Sequence, residues 1–258
     1  MNKPYMGLCA LLLAAFVFFA VLSFWQDGIS VGPLEVKTAP FAQNMHELFS
    51  VPAVEKVDTA SQGDQWRAPV DTTAKNILFI GDSMLEGLAP RLAAYCDKSG
   101  HTLVEVIWYS SSTYYWGESA RLTELINKFN PDYIFVCLGA NELYVPDIKR
   151  ARRPYVKRML AEMGNIPYVW IGPPNWDEDT GINDLLAHEL GRGCFYLSAH
   201  DKFERSRDGA HPTRASAHDW MDRVVSWMET SCAHPIRLEK PDKTIGRASR
   251  IVVYQPPA

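Results

Sequence analysis

Short apolar runs rich in β-branched and aromatic residues recur along this chain with helical patterns between them, and this alternation most narrows the folds open to it. The runs Asn76–Ile80, Leu103–Tyr109, Tyr133–Leu138, Tyr168–Ile171 and Phe195–Ser198 read as strands. Between them, Leu122, Leu125, Ile126 and Phe129 repeat at the i, i+3, i+4, i+7 spacing of one helix face. Pro90 suits a first helical turn ahead of Leu92 and Tyr95, and Val224, Trp227 and Met228 continue a helix from about Thr213. Repeated β-α alternation predicts a three-layer α/β/α, flavodoxin-like fold with a mostly parallel sheet. In such sheets ligands bind beyond the carboxyl ends of the strands, so the residues just after each strand carry the functional information.

Composition agrees with a folded protein and removes one class of function. The 258 residues are 47% apolar and 22% charged, an ordinary globular mix. Net charge is −4, from 26 basic and 30 acidic residues, and no Lys/Arg-rich face stands out. A nucleic-acid partner, which would need clustered positive charge to neutralise phosphates, is not expected. Aromatic residues at 12% exceed what a minimal core needs, so some are expected to line a site.

The amino-terminal segment has another character. No charge occurs between Pro4 and Gln26, and Met6 to Trp25 is long enough to cross about 30 Å of hydrocarbon as a helix. The run exceeds the apolar region of a cleaved signal peptide, and no small-x-small site follows it, which favours an uncleaved anchor over residues 1–26. Cys9 lies near the start of the run, whereas a lipidated cysteine should follow it. Lys3 precedes the span and Asp27 follows it, so the positive-inside bias puts the rest of the chain in the periplasm or outside the cell. Residues 27–74, mixing Pro, Gly, Ser, Thr and charge without periodicity, read as a stalk. The expected domain is 75–232, with 233–258 as a carboxy-terminal extension. An exterior location permits disulfides. Cys137 lies in an apolar run, which leaves Cys96, Cys194 and Cys232; a Cys194–Cys232 bond would tie the last helix to the strand before it, with two other pairings open.

Three blocks follow strands or precede a helix. Gly81-Asp82-Ser83 ends the first strand, and a serine flanked by Gly on a sharp turn can be exposed with backbone N–H groups close by. The competing reading of Ser83 is a helix cap. Gly139-Ala140-Asn141-Glu142 follows the third strand; Asn141 either donates a hydrogen bond into the same crevice or sits in an ordinary turn. Asp208-Gly209-Ala210-His211 places a carboxylate three residues before an imidazole, the relation in which an Asp holds the His tautomer that deprotonates a serine.

Together, in this order and over about residues 75–230, the blocks resemble the SGNH (GDSL) hydrolase superfamily. The resemblance implies a serine esterase or acyltransferase with Ser83 as nucleophile, His211 as general base and then acid, and Asp208 orienting it. It further implies an oxyanion hole from the Ser83 N–H and Asn141, with no metal or cofactor. Two departures stand out. The family's third block usually ends in Asn-Asp, where this chain has Glu142. Its second block usually offers a Gly N–H, where this chain reads Ser110-Ser111-Ser112-Thr113, so Ser112 or Ser111 would supply the second backbone donor.

Other residues have plainer readings. His188-Glu189 starts like a zinc-protease motif, but Arg192 stands where the second His is needed, so a solvated helix face is expected. Aromatic residues after strands, Trp116, Tyr144 and Trp176 among them, either stack on sugar rings at a rim or fill the core. With the exterior anchor, they direct the expected substrate toward acylated carbohydrate of the cell envelope or extracellular polysaccharide, with a membrane acyl-transfer partner if the reaction is transfer. The alternatives are a lipase or thioesterase, or a non-catalytic glycan-binding or assembly subunit of the same fold.

Overall fold

The structure, a computed structural model, describes residues 29–31, 34–36 and 66–256. The chain divides into two compact units, Met1–Gln62 and Gly63–Ala258. In the first, β1 (Ile29–Val31) pairs antiparallel with β2 (Leu34–Val36), so part of the expected stalk is hairpin. The expected anchor, residues 1–26, lies outside the described residues. Among the described residues no helix is long and apolar enough to cross a membrane.

The second unit is a three-layer α/β/α sandwich. Its strands are β3 (Asn76–Gly81), β4 (Thr102–Trp108), β5 (Tyr133–Cys137), β6 (Tyr168–Ile171), β7 (Phe195–Tyr196) and β8 (Arg250–Tyr254). They form one six-stranded sheet in the order β7-β6-β5-β3-β4-β8, with every pair parallel. Alternate residues face opposite layers, as strand geometry requires. Ile77 and Phe79 pack with Leu85, Leu88 and Leu92 of α1 (Leu85–Ser99) and with Trp220, Met221 and Val224 of α6 (Arg214–Ser231). Leu78 and Ile80 face the other layer, built from α2 (Thr113–Glu118), α3 (Arg121–Phe129), α4 (Ile148–Met163) and α5 (Ile182–Glu189). The chain leaves β3 toward β4 and returns to its other side with β5. The topological switch therefore lies at the carboxyl end of β3, where a crevice opens between diverging connections.

Several expectations change. Within the expected carboxy-terminal extension, Arg250–Tyr254 joins the sheet as β8 beside β4, and the Arg121 guanidinium lies 4.6 and 4.4 Å from the centroids of the Trp108 and Tyr254 rings. The domain also begins before residue 75. Ala68 N and Asp71 N donate to Ala233 O and Pro235 O at 2.8 Å each, so a segment with no hydrophobic period is held by backbone pairing. Pro90 sits inside α1 rather than in its first turn. Cys96, Cys137, Cys194 and Cys232 are all buried free thiols, so the expected Cys194–Cys232 bond is absent; Cys232 Sγ instead lies 3.5 Å from the Tyr133 hydroxyl.

Candidate active site

Ser83 stands at the carboxyl end of the central strand. Gly81 is required there because a Cβ on it would lie 2.5 Å from the Cys137 carbonyl oxygen of β5. Asp82, wholly buried, turns back and accepts the Met84 N–H at 2.9 Å, which holds the tight turn into α1. Ser83 is thereby presented at the surface of the crevice. Ser83 N–H, not used by the helix that follows, has no hydrogen-bond acceptor among the described residues, and the same is true of Ser112 N–H. Ser111 N–H is consumed by the Trp108 carbonyl at 3.1 Å. Of the two serines considered as backbone donors, Ser112 is the one with a free N–H.

Asp208 and His211 arrive from the loop before α6. Asp208 Oδ1 accepts the N–H groups of Ala210 and His211 at 2.9 Å each, and Oδ2 lies 2.8 Å from His211 Nδ1. These N–H groups, and then the ring, hold the Asp208 carboxyl down to about 2. A carboxylate can only accept, so Nδ1 carries a proton, and in the neutral imidazole Nε2 then holds the lone pair. That lone pair faces Ser83 Oγ at 2.8 Å. The three residues marked in the sequence thus form one continuous chain of hydrogen bonds.

Asn141 comes from the turn after β5, where Gly139 adopts φ +122, a conformation open to glycine. Its Nδ2 donates to the Ser111 carbonyl at 2.9 Å and, more weakly, to Asp82 Oδ2 at 3.3 Å. Both amide hydrogens are engaged, so donation to a substrate oxyanion requires the longer of the two bonds to open. Glu142, next in the same turn, is spent on structure. Wholly buried, it accepts Thr113 N–H at 2.9 Å and Thr113 Oγ1–H at 2.8 Å, and takes a 2.6 Å bond from Arg152 Nε. Burial raises its pKa, and the Thr113 and Arg152 contacts oppose the rise. The long side chain closes the first turn of α2 onto the Asn141 turn, which places Ser112 between them.

The aromatic expectations separate. Trp116 is fully buried and donates Nε1–H to Ser111 Oγ at 3.0 Å, so it shapes the turn and cannot touch a substrate. Trp176 donates Nε1–H to the Ala140 carbonyl at 2.9 Å, beside Asn141. Tyr144 is 58% exposed and meets Trp176 edge-on, with centroids 6.4 Å apart. These two form a rim on the Asn141 side. Among the described residues no group of His, Cys, Asp or Glu side chains could hold a metal ion. His188 is exposed at the end of α5 beside Glu189, which pairs with Arg153 and Lys157.

No protein-family model matches the sequence, and no curated protein matches it. Solved structures show a looser likeness. A lipase/acylhydrolase from Enterococcus faecalis is 16% identical with a TM-score of 0.45, covering 65% of this chain and 100% of that one. A psychrotrophic esterase from Pseudoalteromonas sp., solved with monoethylphosphonate as inhibitor, is 14% identical with a TM-score of 0.41, covering 60% of this chain and 97% of that one. A GDSL-like lipase from Bacteroides thetaiotaomicron is 15% identical with a TM-score of 0.38, covering 58% and 89%. At such identities and scores the chemistry of the site stands on its own distances.

Two contributors carried no sequence signal. Arg152 acts through Glu142, ten residues before it, and Arg205 reaches three carbonyls on two loops. Arginines on loops and solvent-side helix faces are ordinary, so neither spacing nor composition marks them.

Proposed function

We propose that this chain is a serine ester hydrolase or acyltransferase working through a covalent Ser83 ester, and that its substrate is an O-acetylated polysaccharide of the cell envelope or exterior. The observation that carries the reading is the 2.8 Å contact of His211 Nε2 with Ser83 Oγ, continued by the 2.8 Å contact of Nδ1 with Asp208. His211 Nε2 takes the hydroxyl proton as Ser83 Oγ attacks the ester carbonyl, and Asp208 stabilises the imidazolium that forms. The developing oxyanion sits against the unpartnered N–H groups of Ser83 and Ser112, with Asn141 Nδ2 as third donor once its bond to Asp82 opens. Each such donor contributes about 3 to 4 kcal/mol to the transition state. His211 returns the proton to the leaving alkoxide, and water or a second sugar hydroxyl then takes the acyl group by the reverse steps. No metal or cofactor enters the scheme.

The carbohydrate reading is supported by the exposed Tyr144 ring beside Trp176, faces suited to a sugar ring, and by the apolar run Met6 to Trp25, which would hold the domain at a membrane facing outward. A membrane acyl-transfer partner belongs to the transfer version of the reaction. The test is to treat the full-length chain with a fluorophosphonate probe, then follow acetate release and acetyl transfer on acetylated and unacetylated glycans. Labelling lost in Ser83→Ala supports the enzyme. A folded wild-type chain that neither labels nor deacetylates sinks it in favour of a glycan-binding subunit.

A further inference from the structure

His211 and Asp208 are not held by burial, since their side chains are 38% and 51% exposed. They lie on a short hairpin in which Thr213 N–H donates to Glu204 O and Ser206 N–H to His211 O, each at 2.8 Å, with Arg205 paired across to Pro212 between them. A hairpin so placed can shift as a unit relative to Ser83. A displacement of about 1 Å at a reacting atom is enough to cost about 100-fold in rate.

One side chain ties this hairpin to the rest of the site. Arg205 Nη1 donates to the Ala210 carbonyl, directly before His211, at 2.6 Å. Its Nη2 donates to the Pro174 carbonyl and, at 3.0 Å, to the Asn175 carbonyl, directly before Trp176. The guanidinium also lies 5.2 Å from the centre of the Phe203 ring. Among the described residues no carboxylate lies within ion-pair distance of Arg205, and Asp208 is the acidic neighbour whose charge it feels. A half-buried cation whose hydrogen bonds all go to carbonyl oxygens is a costly way to close a loop that merely needs covering. Its planar fork of donors can hold carbonyls on two segments at once, which the compact ammonium of lysine does less well.

We propose that Arg205 is a positioning residue: it fixes the His211 hairpin against the segment that carries Trp176, setting the His211–Ser83 distance and linking it to the aromatic rim. This rests on the acyl-transfer reading of Ser83 and His211, and adds to it the part that makes an exposed base precise. It also implies that a ligand ordering Trp176 steadies His211 through the Pro174 and Asn175 carbonyls.

The test compares Arg205→Met and Arg205→Lys with wild type in the full-length chain, using p-nitrophenyl acetate, a substrate too small to depend on the rim. For Arg205→Met, kcat should fall about 10- to 100-fold with KM changed less than about three-fold, and Arg205→Lys should fall between it and wild type. The low-field proton resonance of His211 Nδ1–H, sharp in wild type, should broaden or vanish in Arg205→Met. A folded variant with kcat within about two-fold of wild type and an unchanged Nδ1 signal overturns the proposal, as does a loss confined to KM. If Arg205→Met does not fold, Arg205→Lys decides by the same two readouts. A wild-type chain inert to fluorophosphonate would remove the hydrolase reading, while the Nδ1 comparison would still decide whether Arg205 fixes His211.

Discussion

His211 Nε2 lies 2.8 Å from Ser83 Oγ across 128 residues of sequence. The contact exists because β3 ends at the centre of the sheet and the chain reaches the mouth of the same crevice again just before α6. A network acting as one unit is removed nearly as completely by one substitution as by two. Ser83→Ala should therefore reduce hydrolysis of a small acetyl ester by about 10⁴-fold or more, and Ser83→Ala with Asp208→Asn should lose little beyond that. Circular dichroism checks that both variants fold. Losses that multiply would show that the two residues do not serve one step.

Asp208→Asn by itself should keep the hairpin but present an amide to His211 Nδ1. An amide nitrogen there favours the tautomer protonated on Nε2, the wrong one for taking the serine proton. Turnover should drop by about 10³- to 10⁴-fold with KM little changed. Because the Asp208 carboxyl is held down to about 2, it stays ionised throughout the working range, and its protonation affects the site only in strong acid, below its usual value of 3.8. Near-normal turnover by Asp208→Asn, with Asp201 or Glu204 proving essential instead, would place the partner of His211 elsewhere.

Two buried carboxyls act at higher pH. Burial pushes both Asp82 and Glu105 up to about 7, from usual values of 3.8 and 4.5; Glu142 adds to the first against the Met84 N–H, and Glu86 adds to the second. Between these limits the unfolded chain has released protons that the folded chain still binds, so each carboxyl lowers stability as pH rises through the window, and adds no further loss above about 7. His101, whose pKa is lowered chiefly by burial, acts in the opposite sense, which makes the variant-minus-wild-type difference the useful quantity. The Tm of Glu105→Gln relative to wild type should climb from pH 4.5 to about 7 and then level off. A difference independent of pH, measured by calorimetry, would mean that Glu105 titrates alike in the folded and unfolded chain, with no rise from burial.

The aromatic residues make opposite predictions in one assay. Tyr144→Ala and Trp176→Ala should raise KM for an acetylated oligosaccharide, while Tyr144→Ala leaves p-nitrophenyl acetate hydrolysis within about two-fold, since Tyr144 touches only the rim. Trp116→Phe should instead lower Tm, through loss of the bond to Ser111 Oγ and of buried ring area, by about 1 to 3 kcal/mol of stability. A selective oligosaccharide KM effect in Trp116→Phe, with Tm unchanged, would contradict its burial.

The carboxy-terminal strand can be tested through Tyr254, which stacks on Arg121 and meets Trp108 edge-on at 6.0 Å. Tyr254→Ala should destabilise urea unfolding by about 1 to 3 kcal/mol, through lost ring burial and the cation–π contact, without altering kcat of the folded protein. An unchanged unfolding midpoint would return residues 250–254 to the status of an appendage.

The parallel sandwich, five of its strands and the crevice-forming blocks around Ser83, Asn141 and His211 were legible without coordinates. Strand periodicity, Gly at turns and the Asp-to-His spacing are local properties, and residues such as Ile77, Phe79 and Leu122 report their burial through their own side chains. Strand β8 escaped notice because Arg250–Tyr254 lies on the sheet edge, with Ile251 47% and Val253 48% exposed, and a short edge strand after a polar tail has no companion helix to announce it. The segment at Ala68 and Asp71 escaped for a related reason, since backbone pairing leaves no trace in side-chain pattern. Trp116 and Trp176 have the same side chain and both follow strands, yet one is core and the other rim, because burial depends on which helix packs over each. Residue types and their local spacing were enough to set the layered α/β architecture and to name a serine, an imidazole and a carboxylate. Tertiary structure alone decided that these meet at 2.8 Å, that Glu142 joins Thr113 to Arg152, that Arg205 reaches the Ala210, Pro174 and Asn175 carbonyls, and that Cys194 and Cys232 stay thiols, because each depends on how separate segments come together.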